Sequence, residues 1–324
     1  MSKNTSDKRR VYALIAFLAI FGGAYVASLL KNQADGGRPT DSSWNRRNTD
    51  DSYVTGSSAE GTQSVDSASA DPSSPGDYQM QEAPSEGLSQ EAYENLEQPA
   101  PLTSKPEVIL FKSAFIISYN VTTLCPNYVA WRLTPERTDG KLRRKDQFAE
   151  DMVLGERTRV SPQDYMGSGY DRGHMCPAGD NKHNQAAMDE SFLMTNVCPQ
   201  HHALNEGDWN ELEQQCRRWV RDYGDLYIVC GPIFDGKNPA KIGRRKGVRV
   251  SVPERFYKVV LSMGSQPKAI GFIYPNRATS ADMRSYAVSV DDVERLSGID
   301  FFPLLPDDVE RRIEHVCNPA AWGI

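Results

Sequence analysis

The stretch Gly169-Tyr170-Asp171-Arg172-Gly173-His174-Met175-Cys176-Pro177-Ala178 decides how the rest of the chain reads. Within four residues it places a carboxylate, a guanidinium and an imidazole around one glycine. An imidazole with an unperturbed pKa of about 6.5 is largely neutral at neutral pH and accepts protons, which makes His174 a candidate general base. Asp171 and Arg172 are expected on the same short turn, where Gly173 would permit backbone angles that a side chain obstructs. A histidine alone is more often a hydrogen-bonded structural residue, so its surroundings must decide.

Downstream comes Thr195-Asn196-Val197-Cys198-Pro199-Gln200, then Leu204-Asn205, Trp209, Leu212-Glu213 and Arg217. The pattern predicts a helix over residues 207–223. At 100° per residue, Trp209, Leu212, Cys216, Trp219 and Val220 form its apolar stripe, with Glu213 and Arg217 side by side on one flank. That pair reads either as an i,i+4 surface salt bridge or as part of a site. Asn205 stands where the helix should begin. It reads either as an N-cap or as an amide-oxygen ligand for a hard cation such as Mg²⁺, which binds few protein groups and keeps several waters.

Asp171-Arg172-Gly173-His174, followed in order by that series, resembles the signature of the DNA/RNA non-specific endonucleases, the ββα-metal nucleases that include endonuclease G. Further matching stretches are Tyr128-Val129-Ala130-Trp131, Val252-Pro253-Glu254-Arg255-Phe256-Tyr257-Lys258 and Gly298-Ile299-Asp300-Phe301-Phe302-Pro303, so the resemblance covers about residues 108–316. It implies an α+β fold of the ββα-metal nuclease type, with a central mostly antiparallel sheet and flanking helices. It also implies metal-dependent, sequence-non-specific hydrolysis of phosphodiester bonds in DNA and RNA. His174 would be the general base, with Asn205 holding a hydrated Mg²⁺ or Mn²⁺. Arg172 would belong to the catalytic group, Glu213 would lie near the metal-bound waters, and Arg217 near the phosphate. Asn196 and Gln200 would orient His174 or the phosphate, and Arg143 and Arg144 loosely match an upstream phosphate-binding arginine. The chemistry is consistent, since phosphodiester hydrolysis needs an activated water, a cation and stabilisation of charge on oxygen. A non-catalytic nucleic-acid-binding or envelope protein that keeps the fold is the alternative, though a binder would not require the base.

Around this block the 324 residues are 39% hydrophobic and 25% charged, the composition of a folded protein. A formal charge of -6 excludes a chain that holds nucleic acid through a massive basic field, so phosphate recognition must be local. Residues 1–10 are basic through Lys3, Lys8, Arg9 and Arg10, and residues 11–30 carry no charge, which predicts a transmembrane anchor with the N-terminus cytoplasmic. A signal peptide cut near Gly22-Gly23-Ala24 is the alternative and would make the protein secreted. Residues 31–105 are rich in Ser, Asp, Glu, Pro and Gly and read as a disordered linker. The nuclease domain is expected over residues 106–324, on the extracytoplasmic side of the cell membrane. Expected partners are DNA and RNA substrates, the membrane through the N-terminal helix, and a second copy in a homodimer.

Within the domain, strands are expected over residues 108–119, 128–133, 226–233 and 268–274, with a hairpin of 248–252 and 255–261 broken at Pro253. Helices are expected over 289–298 and 307–316. The basic run Lys241-Ile242-Gly243-Arg244-Arg245-Lys246 reads as a solvated turn or as a nucleic-acid contact. Six cysteines fit a disulfide-permissive compartment without proving a bridge. Cys216 and Cys230 sit in apolar patterns, Cys176 and Cys198 could approach one another, and a zinc cluster of His174, Cys176, Cys198, His201 and His202 lacks a standard ligand spacing.

Overall fold

Residues 226–233 are buried throughout, which a strand achieves when both faces of its sheet are covered. In the computed structural model, which describes residues 94–144, 147–236 and 238–324, this run is strand β6, Leu226–Ile233. Its neighbours are β3, Cys125–Leu133, and β9, Arg255–Ser262, both antiparallel, with Val229 opposite Ala130 on one side and Val259 on the other. Outward lie β2, Ile116–Asn120, and β1, Val108–Phe111; on the other side come β10, Lys268–Pro275, and β11, Ala287–Val288. The seven-stranded order is β1-β2-β3-β6-β9-β10-β11, antiparallel at every step.

Two expectations about strands change. The single strand over 108–119 is a hairpin, β1 and β2, turning at Ser113-Ala114. The hairpin across Pro253 does not form. Instead β8, Val250–Ser251, pairs with β7, Lys241–Ile242, in a ribbon of its own, while β9 joins the main sheet. Pro253 has no amide proton for a ladder, and it falls where the chain leaves one sheet for the other.

Alternate residues of the main sheet feed two cores. One face packs Val129, Trp131, Ile228, Phe256 and Val260 against helix α4, Asp208–Tyr223, which buries Trp209, Leu212, Cys216, Trp219 and Val220. The opposite face packs Tyr128, Ala130, Val229, Tyr257 and Val259 against α5, Val290–Ser297, and α6, Asp307–Ile313. Helix α5 starts where the Ser289 side chain accepts from the Asp292 amide, and it ends at left-handed Gly298. The remaining helices are α1, Pro135–Thr138, α2, Gln185–Ser191, and α3, His202–Glu206.

On the α4 side a second ribbon, β4, Asp171–His174, with β5, Val197–Gln200, leads through α3 directly into α4. The predicted turn at residues 171–174 is therefore a strand. Residues 1–30, including the predicted anchor, lie outside the described residues, as does the predicted linker up to residue 93. Among the described residues no helix is long and apolar enough to cross a membrane.

Candidate active site

Strand β4 aligns Asp171 with Gln200 and His174 with Val197, and Gly173 makes this ribbon possible. A Cβ on Gly173 would sit 2.0 Å from Gln200 Oε1. The glycine is thus required for close approach, not for the unusual backbone angles the sequence suggested. Gln200 is fully buried behind it, and neither of its amide atoms has a hydrogen-bond partner.

A cavity of about 420 Å³ opens in front of the ribbon, and His174, Asp171, Asn205 and Glu213 all line it. The His174 ring is clasped by Phe148 and Phe192, with ring centroids 5.1 and 5.0 Å away. Its carbonyl accepts from Trp209 Nε1 at 3.3 Å, which ties the strand to the start of α4. Asn196 is fully buried one step behind. Its Oδ1 accepts from the Cys176 amide at 2.9 Å, and its Nδ2 donates to the Cys176 and Ser191 carbonyls, both at 2.8 Å. Asn196 therefore braces the backbone just past His174, and its amide is committed there.

Asn205 lies inside α3, so it is not an N-cap; the chain breaks at Gly207 before α4 begins. A Cβ on Gly207 would be 2.4 Å from the Ala203 carbonyl oxygen, which explains the glycine between the two helices. Asn205 Nδ2 donates to Asp171 Oδ2 at 3.0 Å, turning the amide oxygen away from that carboxylate. The same Oδ2 meets His202 Nδ1 at 2.8 Å, and this partner raises the His202 pKa. The donors facing the cavity are mainly oxygens, a set suited to a hard divalent cation. Asp171, His202 and Glu206 also bring ligand atoms within 4.8 Å of one another.

Burial pushes Glu213 up to about 7, against the pull of Lys258, Arg217 and Arg144 and with a push from Asp180. Lys258 is 1% exposed, with Nζ 5.1 Å from the Trp131 ring centroid and 4.5 Å from that of Trp209. Burial opposes its charge, but Cys230, Cys216, Glu213 and Asp180 hold its pKa above the ordinary lysine value. Burial also pushes Cys216 up to about 12 and Cys230 to about 11, so at neutral pH these thiols are uncharged. Arg217 does not form the surface pair with Glu213. Its Nη1 donates to the buried Asp180 at 2.8 Å, Asp180 also accepts from Trp131 Nε1 at 3.2 Å, and Arg217 stands behind the cavity wall.

Arg172 and Arg144 reach the rim: Arg172 lies 4.6 Å over the Phe148 ring and Arg144 5.7 Å over that of Phe192. Arg143 is exposed and outside the cavity lining. In the basic run, Arg245 is held by Asp164 and the Arg159 carbonyl, a structural tether, while Arg244 and Lys246 are exposed. All six cysteines are free and five are buried; Cys198 is hydrogen-bonded to Cys125, while Cys176 Sγ accepts from Asn181. The zinc cluster does not assemble, since His201 Nδ1 accepts from the Ala203 amide and His202 faces Asp171.

The ordered set of β4, β5, α3 and α4 residues around one cavity now has a counterpart among known proteins: a sequence model described as "DNA/RNA non-specific endonuclease" matches residues 93–308. The chain belongs to this family. A mitochondrial nuclease EXOG from Danio rerio is 36% identical over 208 residues, 60% of this chain and 61% of that protein. Nuclease C1 from Cunninghamella echinulata var. echinulata is 37% identical over 210 residues, 60% of this chain and 83% of that one. A crystal structure of an EndoG/EndoGI complex superposes with a TM-score of 0.57 at 30% identity, covering 62% of this chain and 89% of that chain. The chain spans about three fifths of the length of the EXOG relatives it matches.

The sequence pattern did not reveal buried Lys258 against Trp131 and Trp209, Asp180 as the partner of Arg217, or Phe148 and Phe192 as the clasp of His174. Lys258 had one signal, a charged residue inside an apolar strand pattern.

Proposed function

We propose that this chain is an endonuclease that hydrolyses DNA and RNA without sequence preference and depends on a divalent cation. The observation that carries the reading is the convergence of His174, Asp171, Asn205 and Glu213 on a single cavity. His174 accepts a proton from a water as its oxygen attacks phosphorus, and the bond to the leaving oxygen breaks as that oxygen is protonated from solvent. Phe148 and Phe192 fix the ring for this transfer. Arg172 and Arg144, at the rim, neutralise phosphate charge. Arg217 acts through Asp180, balancing charge beneath Glu213 rather than touching phosphate.

Asn205 Oδ1 and Glu213 would hold a hydrated Mg²⁺, with Mn²⁺ as a substitute; when bound it would supply Lewis-acid charge next to the scissile phosphate. Asp171 would orient Asn205 for that task. Plasmid DNA and an unstructured RNA should both be cut in Mg²⁺ and spared in excess chelator, and Asn205→Ala should lose the response to Mg²⁺. Full cleavage in chelator would overturn cation dependence; no cleavage with any divalent cation would leave the chain as a nucleic-acid binder.

A further inference from the structure

On the sheet face opposite the cleft, Asp291 and Glu294 lie on one side of α5, and Glu314 follows the last residue of α6. The Asp291 amide donates to the Glu314 carbonyl at 3.2 Å, which draws the two helix ends together. Carboxylate oxygens of Asp291, Glu294 and Glu314 then lie within 4.8 Å of one another, at a cavity of about 300 Å³ that Glu310 also lines. Glu314 is 2% exposed, and its Oε1 is buried without a hydrogen-bond partner. A buried carboxylate oxygen with nothing to accept from is costly, so a native fold keeps one where something else fills the role.

The neighbouring basic side chains are peripheral. Arg311 and His315 are exposed, with His315 Nδ1 3.6 Å from Asp291 Oδ2, and Glu294 Oε1 is already occupied by the Phe301 amide at 2.7 Å. We propose that Asp291, Glu294 and Glu314 form a structural Ca²⁺ site that fastens α5 to the end of α6. All donors are carboxylate oxygens, the hard ligands Ca²⁺ takes in number, and oxygens across a Ca²⁺ at 2.3–2.6 Å stand about 4.6–5.2 Å apart. Mg²⁺ demands a tighter octahedron and retains most of its waters. Burial, opposed by the Phe301 amide and helped by the carboxylates of Asp300, Asp291 and Glu310, pushes Glu294 up to about 7, while burial, Glu294, Glu310, Asp291 and Asp300 push Glu314 up to about 10, so Ca²⁺ must displace protons to bind. The site does not depend on the nuclease reading.

The test is thermal unfolding and calorimetry of the full chain, stripped with chelator and then titrated with CaCl₂. The background is Asn205→Ala, which removes the amide oxygen proposed to hold a cation in the cleft, and the added Asp291→Asn change separates this site from the cleft. Ca²⁺ at a hundredfold excess over its Kd should raise Tm by roughly 5–10 °C. Adding Asp291→Asn should weaken Ca²⁺ affinity at least ~10-fold and so cut that rise by about half or more at the same Ca²⁺ concentration. No rise in the Asn205→Ala chain, or an equal rise once Asp291 is changed, overturns the site. Glu314→Gln is a second variant: if it raises Tm in chelator while the Asn205→Ala chain ignores Ca²⁺, the carboxyls share a proton instead and the proposal fails.

Discussion

His174 is held between Phe148 and Phe192 and by the Trp209 bond to its carbonyl, contacts that act on the ring and the backbone. His174→Ala should therefore leave the fold intact and lower cleavage at least ~100-fold, the usual weight of a general base, with substrate binding nearly unchanged. Wild-type rates in single-turnover assays would assign the base elsewhere. Glu213 adds a pH dependence. Its folded pKa, about 7, lies above the unfolded carboxylate value, so the stability it contributes is complete below about pH 4.5 and lost as pH rises through about 7. The cation-free Tm of the wild type relative to Glu213→Gln should fall between pH 5.5 and 8, and Mg²⁺ should restore more of it at pH 8. A pH-independent difference would refute a raised Glu213. These residues were legible because the block from Asp171 to Arg217 is nearly contiguous. Lys258 and Asp180 were not, because Lys258 reaches Trp209 and Asp180 reaches Arg217 only once β9 and the segment after β4 pack against α4.

At the scale of elements, reading worked where burial dictates the pattern. β6 and β9 are covered on both faces, β6 showing as an unbroken apolar run and β9 as one interrupted by Lys258, and α4 carries its stripe at helical spacing. It failed where pairing partners lie far apart in sequence. β8 chooses β7 over β9, β4 chooses β5, and the Asn205 region forms a separate short helix because Gly207 breaks the path to α4. The β4–β5 ribbon offers a sharp test. Gly173→Ala would drive a Cβ into the fully buried Gln200, 2.6 Å from its Cβ, and should cost about 1–3 kcal/mol. Because His174 is the next residue, activity should fall along with Tm. Gln200→Ala combined with Gly173→Ala makes room and should recover part of both; a Gly173→Ala chain as stable and active as the wild type would remove the steric account.

Across the whole molecule, the boundary of the domain is set by packing that composition hides. The shift from polar to apolar sequence puts the start near Pro106, yet Leu96 is fully buried in the core beneath the face that carries α5 and α6. The Ala100 amide donates to the Asp300 carbonyl at 2.9 Å, and the Leu102 amide to Glu107 Oε2 at 3.0 Å, so the segment is stitched along its length. The family match also begins upstream, at residue 93. A short apolar residue in a polar tract carries no periodicity, and only the tertiary structure shows where it docks. A protein starting at residue 106 would expose the floor of that core, a loss comparable to emptying a buried leucine position at about 2–5 kcal/mol. Compared with a protein starting at residue 93, it should melt roughly 5–15 °C lower and bind a hydrophobic dye at lower temperature. The cleft lies on the other face of the sheet, so cleavage per folded molecule should match in the two proteins. Equal melting temperatures would mean that residues 94–105 merely rest on the surface and that the start inferred from composition is the working boundary.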